Sequence, residues 1–170
     1  MKNILLRSGL VFLIISGFSL SLFATHNRAG EITYTHVADL TYEFTITTYT
    51  DPNSLADRDA LYIDWGDGTG DTLFRNSIET LTDYVQKNEY IGQHSFSGAG
   101  EFVISMVDPN RVENILNIDG SVNVPFCLVD TFVIFDPLLF GYNNSPLLLN
   151  PPIDFANVGE IFIHNPDAFD

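Results

Sequence analysis

After residue 24 the chain alternates apolar and polar positions with period two almost throughout. In "EITYTHV" Ile32, Tyr34 and His36 share one face and Thr33, Thr35 and Val37 the other. In "TYEFTIT" Tyr42, Phe44 and Ile46 alternate with threonines and Glu43, and a tight turn at Asp39-Leu40 joins the two segments. "ALYIDW" sets Leu61, Ile63 and Trp65 against Tyr62 and Asp64, and "GEFVISMVD" sets Phe102, Ile104 and Met106 against Glu101 and Ser105. No long window has helical spacing. The nearest, residues 77–88, carries Ile78, Leu81 and Val85, but its threonines oppose a helix and it reads as a loop with at most one helical turn. Short strands punctuated by Gly, Asn, Asp and Pro predict an all-β antiparallel sandwich.

The pattern changes at residues 135–155, where Pro137, Pro146, Pro151 and Pro152 stand among Asn and Gly. Proline removes ladder donors and fixes φ, so this stretch reads as an extended connector. "GEIFIHN" beyond it reads as a lone strand, the start of an incomplete second unit over 137–170.

Before the strands lies "MKNILLRSGLVFLIISGFSLSLFA": Lys2 and Arg7, an apolar run, then small residues ending at Ala24. This is the pattern of a secretory signal peptide over residues 1–24, cleaved near Ala24, and its apolar run is short for a stable membrane span. The expected destination is the secreted or cell-surface fraction. The chain carries 7 Lys+Arg against 22 Asp+Glu, a net charge of −15; loss of Lys2 and Arg7 takes the mature chain to −17. Such a surface repels phosphate backbones, so no nucleic-acid partner is expected. Cys127 has no partner in the chain and lies in the apolar run "VNVPFCLVDTFVIF", where it reads as a small buried hydrophobe.

The most informative nine residues are "IDWGDGTGD", 63 to 71. Glycine admits positive φ and aspartate accepts hydrogen bonds from its own loop amides, which suffices for a sharp corner. Asp57, Asp59, Asp64, Asp67 and Asp71 are also weak calcium candidates if they meet at one rim, although neither this stretch nor "DPNSLADRD" has EF-hand spacing. A pair of carboxylates also serves general acid-base chemistry, but a small sandwich offers little cleft for it. The corner reading requires the least.

The remaining candidates are thinner. His26, with Arg28 and Glu31, follows the predicted cleavage site in an end expected to be loose; two possible metal ligands fall short of a stable set. His36 reads as a half-buried strand residue, His94 as a hydrogen-bonding group near the turn, and His164 belongs to the incomplete unit. "GAG" at 98–100 suits a hairpin, and no G-x-S-x-G or phosphate-cradling unit is present. Tyr49, Tyr62, Tyr84 and Tyr90, if exposed, offer a platform for stacking on sugars.

"IDWGDGTGD" together with "HSFSGAGEFVISMV" resembles the PKD domain, an immunoglobulin-like sandwich with a W-x-F-G-D-G-T or W-G-D-G-T corner, then H-x-Y or H-x-F, then G-x-Y-x-V-x-L. Trp65, Gly66, Asp67, Gly68 and Thr69 match the corner, and His94, Phe96, Gly100 and Phe102 the second half. The two halves lie 24 residues apart, so residues 72–92 read as an insertion, a hairpin or loop, within a domain spanning 25–136. "GYNNSPLLLNPPIDFA" and "FIHNPDAFD" extend the resemblance to the N-terminal region of secreted Bacteroidota proteins with PKD repeats, many gliding-motility-associated. That resemblance implies a non-enzymatic spacer or adhesion module with no cofactor, whose partners are extracellular proteins, surface glycans or further repeats. A calcium- or carbohydrate-binding module is the alternative.

Overall fold

The computed structural model describes residues 26–153 and 156–170. The expected signal peptide and its cleavage site lie outside the described residues. Seven antiparallel strands follow: β1 (Asn27–Ala38), β2 (Thr41–Thr50), β3 (Ala60–Asp64), β4 (Gly70–Thr82), β5 (Val85–Ser95), β6 (Gly100–Asp108) and β7 (Phe126–Ile134). They pair in the order β1-β2-β5-β4-β3-β6-β7. β4 belongs to both layers: Arg75 to Thr82 pairs with β5, whereas Gly70 to Phe74 pairs with β3. One layer is therefore β1-β2-β5-β4 and the other β3-β6-β7 with the start of β4. Lettered in chain order, these are the A-B-E-D and C-F-G sheets of a constant-type immunoglobulin sandwich.

The inward positions are those the alternation predicts in β2, β3 and β6. Tyr42, Phe44, Ile46, Leu61, Ile63, Trp65, Ile104 and Met106 are buried. Phe132 of β7 sits among five rings, at 4.6 Å from Tyr34, 4.7 Å from Tyr42, 5.1 Å from Phe96, 5.3 Å from Phe44 and 6.4 Å from Phe102. Edge-on and tilted geometries predominate, as ring quadrupoles favour. The turn at Asp39-Leu40 forms as expected; Asp39 takes a φ of 46°, which aspartate tolerates better than most residues, and its carbonyl lies 3.0 Å from His36 Nε2.

Several expectations about the chain are corrected. Residues 72–92, read as an inserted hairpin or loop, take the hairpin form as the long β4-β5 pair with its turn at Asp83-Tyr84, and residues 77–88 are strand and turn where a loop with at most one helical turn is expected. The hairpin is part of the sheet rather than added to it. Alternation fails there because the β4 side chains beyond Arg75 are exposed on both faces, leaving β-branched residues as the only strand signal. The loop containing "GAG" does not close a hairpin: it carries the chain from β5 in one layer to β6 in the other.

Cys127 is exposed, because β7 buries Phe126, Phe132 and Ile134 and turns the odd-numbered positions outward. "GEIFIHN" is not a strand; among the described residues the only strand pairing beyond β7 is β8 (Leu147–Leu148) with β9 (Ala168–Phe169).

The connector does not simply extend away. After one helical turn at Pro137–Phe140 it returns along the free edge of β1. There the Ser145 N–H donates to Tyr34 O (3.0 Å), Tyr34 N–H donates to Ser145 Oγ (2.8 Å), and His36 N–H donates to Asn144 Oδ1 (2.8 Å). Tyr142 stacks on the His36 ring at 3.5 Å. Among the described residues no helix is long and apolar enough to cross a membrane.

Candidate functional site at the Gly-Asp-Gly corner

β3 ends at Asp64 and the chain reverses into β4 within five residues. Trp65 N–H donates to Thr69 O (3.0 Å), closing the reversal. Gly66 and Gly68 take φ of 74° and 88°. Gly66 is required twice over, since a Cβ there would fall 2.6 Å from the backbone N and O of Val103 on β6. Gly100, by contrast, has ordinary room around its missing side chain.

The acids of the corner face inward on their own loop. Asp64 Oδ1 accepts the Gly66 N–H (2.8 Å). Asp67 Oδ1 accepts both the N–H (2.9 Å) and the hydroxyl (2.6 Å) of Thr69, and Asp67 Oδ2 lies 2.8 Å from His94 Nε2 on β5. The Thr69 hydroxyl bond, followed by the bond to His94, draws the Asp67 carboxyl down to about 2. His94 in turn stacks on the Trp65 indole at 5.0 Å, the planes within 10°, and meets the Phe96 ring edge-on at 4.7 Å. Trp65 is fully buried, and its Nε1–H donates to Asp71 Oδ2 (2.8 Å). Phe96 is buried, and Phe102 packs against it at 4.4 Å. A continuous chain of contacts, Thr69-Asp67-His94-Trp65-Asp71, thus ties the corner to both layers.

Asp57 and Asp59 are not at this rim. Asp57 pairs with the Arg75 guanidinium, and the Asp59 carbonyl accepts the Arg75 N–H (2.8 Å). The five residues of β3, roughly 17 Å of strand, separate them from Asp64. Among the described residues no group of three or more His, Cys, Asp or Glu is arranged to hold a metal ion. The five-aspartate calcium rim is not assembled.

At that far end lies a polar cluster that the sequence did not announce. Asp108 is buried and takes Arg58 Nε at 3.0 Å and the Asn110 N–H at 2.8 Å. Asn88, fully buried, donates to Thr50 Oγ1 (2.9 Å) and accepts from Arg75 (3.3 Å), while Tyr90 OH donates to Arg58 O (2.6 Å). His26 is not a loose end: it is buried, its carbonyl accepts the Asp51 N–H (3.1 Å), and neither ring nitrogen has a hydrogen-bond partner. Burial lowers its pKa, opposed in part by Asp108 and Asp57. Arg28 pairs with Asp51 (3.0 Å) and Glu31 with Tyr49 OH (3.4 Å), so neither joins His26 in a ligand set. The only hint in the sequence was the density of charge in "DPNSLADRD", which reads equally well as a solvated loop.

The tyrosine platform does not form either. Tyr49 and Tyr90 are buried, and only Tyr62 and Tyr84 are exposed. Tyr62 pairs across from Thr72, whereas Tyr84 occupies the far turn of the hairpin, more than ten residues further along β4. Surface depressions occur at residues 113–122 and between β1 and residues 145–148. Neither is lined by a corner aspartate. No family model, curated protein or solved structure matches the chain.

Proposed function

We propose that the chain is a non-enzymatic, exported module of PKD type, serving as a rigid spacer or adhesion element of a cell-surface or secreted bacterial protein. One observation carries the reading: the carboxylates of Asp64, Asp67 and Asp71 at the corner are occupied as acceptors for Gly66, Thr69, His94 and Trp65, and none of the three lines the depressions described above. The W-G-D-G-T corner and the A-B-E-D, C-F-G strand order agree with the PKD resemblance. The leader-like residues 1–24 support export. His26 is the first described residue and already lies in the core, so cleavage near Ala24 leaves the sheet whole.

The test has two arms. Mass measurement of the chain recovered from an exporting bacterial host is expected to give a species starting at Thr25 or within a residue or two of it. An uncleaved species held in the cytosol refutes export. Asp64→Asn and Asp67→Asn are expected to lower the melting temperature; a variant that kept its stability but lost a measurable turnover would place chemistry at the corner. Millimolar calcium is expected to leave the melting temperature unchanged, whereas a ligand at 100 times its Kd adds about 2.7 kcal/mol.

A further inference from the structure

The start of β1 is fastened to the second layer by a clip of three hydrogen bonds. Asn27 N–H and the Asn27 side-chain amide both donate to Asn110 O (3.0 Å each), and Val112 N–H donates to Asn27 O (2.9 Å). Asn110 and Val112 open the β6-β7 loop. On the other side, residues 26–28 are held to the end of β2 by the pair Asn27–Thr50, the Asp51 N–H donating to His26 O and the Arg28–Asp51 ion pair. β1 is the outer strand of its layer, and its register shifts between Asn27 and Ala29, a bulge at Arg28. Such a bulge is a natural hinge: the residues before it can move while the ladder from Ala29 onward stays paired.

His26 stands at the free side of that hinge, 2% exposed, with neither ring nitrogen hydrogen-bonded. A neutral ring bears this at a cost, but a charged one has two N–H donors and needs an acceptor for each. The charged groups facing it come from three elements: Asp57 and Arg58 of the β2-β3 loop, Arg75 of β4 and Asp108 of β6. Two acids balance two bases. Both acids are already taken, Asp108 by Arg58 Nε and the Asn110 N–H, and Asp57 by the Arg75 guanidinium. The nearby polar groups of β5 are occupied too, Tyr90 OH donating to Arg58 O and Asn88 to Thr50 Oγ1.

A proton on His26 therefore puts an unbalanced charge into a closed cluster. Burial opposes that proton more than Asp108 and Asp57 favour it. The strain is relieved most cheaply by carrying the ring out to water, which breaks the clip and the few bonds of residues 26–28 but leaves the rings around Phe132 packed. We propose that His26 and the Asn27 clip form an acid-released latch: charging the imidazole swings residues 26–28 outward about the bulge and frees residues 110–112, with the two layers still closed. The released Asn27 N–H, Val112 N–H and Asn110 O are the groups of a short open strand edge.

Hydrogen exchange of the purified chain at about pH 7.5 and 5.0, divided by the intrinsic rate at each pH, tests this. The Asn27 and Val112 amides are expected to lose protection by about 5- to 30-fold on acidification, a ceiling set by a histidine pKa of about 6.5 outside the fold. A local opening exposes little surface, so this exchange is expected to be insensitive to about 0.5–1 M urea, whereas exchange through global unfolding accelerates with it. His26→Phe, and His26→Leu as the smaller replacement, are expected to hold the protection of both amides level between the two pH values. Unchanged protection of Val112 in the wild type overturns the proposal. So does a loss that grows with urea as the core's does, or one that persists in the His26 variants.

Discussion

Replacing Asp67 by alanine removes three hydrogen bonds at once, to the Thr69 amide, the Thr69 hydroxyl and His94. Each is worth about 0.5–1.5 kcal/mol net, more where the acceptor is charged. The corner backbone is exposed and water replaces part of the loss, so about 2 kcal/mol is expected for the set. For a sandwich of this size that lowers the melting temperature by about 6–8 °C. The pH dependence is equally specific. Asp67 titrates at about 2 in the folded chain against an ordinary value of 3.8, so its contribution is fully present above about pH 4 and fades as pH falls toward 2. Urea unfolding of the wild type and the variant at pH 7 and across pH 4.5 to 2.5 measures both effects. A difference below about 0.5 kcal/mol at pH 7, or one that persists undiminished at pH 2.5, refutes the assignment of Asp67 as the acceptor that holds the corner.

Gly66→Ala must push a Cβ into the Val103 backbone and is expected to cost well over 3 kcal/mol or prevent folding, whereas Gly68→Ala, with open space around it, is expected to cost only about 1–2 kcal/mol for its positive φ; chemical denaturation of the two variants separates them. His26 has a lowered pKa in the fold, so the unfolded chain binds its proton first and stability declines as pH falls below about 6.5. His26→Phe is expected to flatten that slope between pH 7 and 5 in thermal melts. Asp71→Leu leaves the buried Trp65 N–H without an acceptor and is expected to destabilise by about 1–3 kcal/mol, read by the melting temperature together with indole fluorescence. Cys127 is expected to react with a thiol reagent in dilute native protein, without denaturant.

The strands with one face in the core were legible because their alternation is a direct record of burial: β2, β3 and β6 turn inward the residues that the pattern names. The corner was legible for a different reason. Glycine at positive φ and aspartate as a local acceptor are constraints that act within five residues, and no distant partner is needed to read them. What escaped depends on distant chain. Tyr49 and Tyr90 are buried by packing and partners far along the sequence, and His26 lies beside charges brought in from Asp57, Arg58, Arg75 and Asp108. Asp71 looked like one more candidate ligand because nothing local reveals that a buried indole needs an acceptor across the hairpin. Cys127 was misplaced by a single step of parity in an apolar run, where hydrophobicity alone does not say which face is inside.

The return of the connector along β1 bears on how such modules coexist at high concentration. An uncovered outer strand is a template on which another chain can add, and repeated addition builds fibres. Asn144 and Ser145 answer the amides of His36 and Tyr34 with side-chain oxygens, so these two positions are closed to an incoming strand by groups that cannot themselves propagate a ladder. The proline-punctuated tail thereby acts as a built-in stopper over this part of the edge, and trimming it back to the end of β7 is expected to raise the rate of aggregation, read by light scattering.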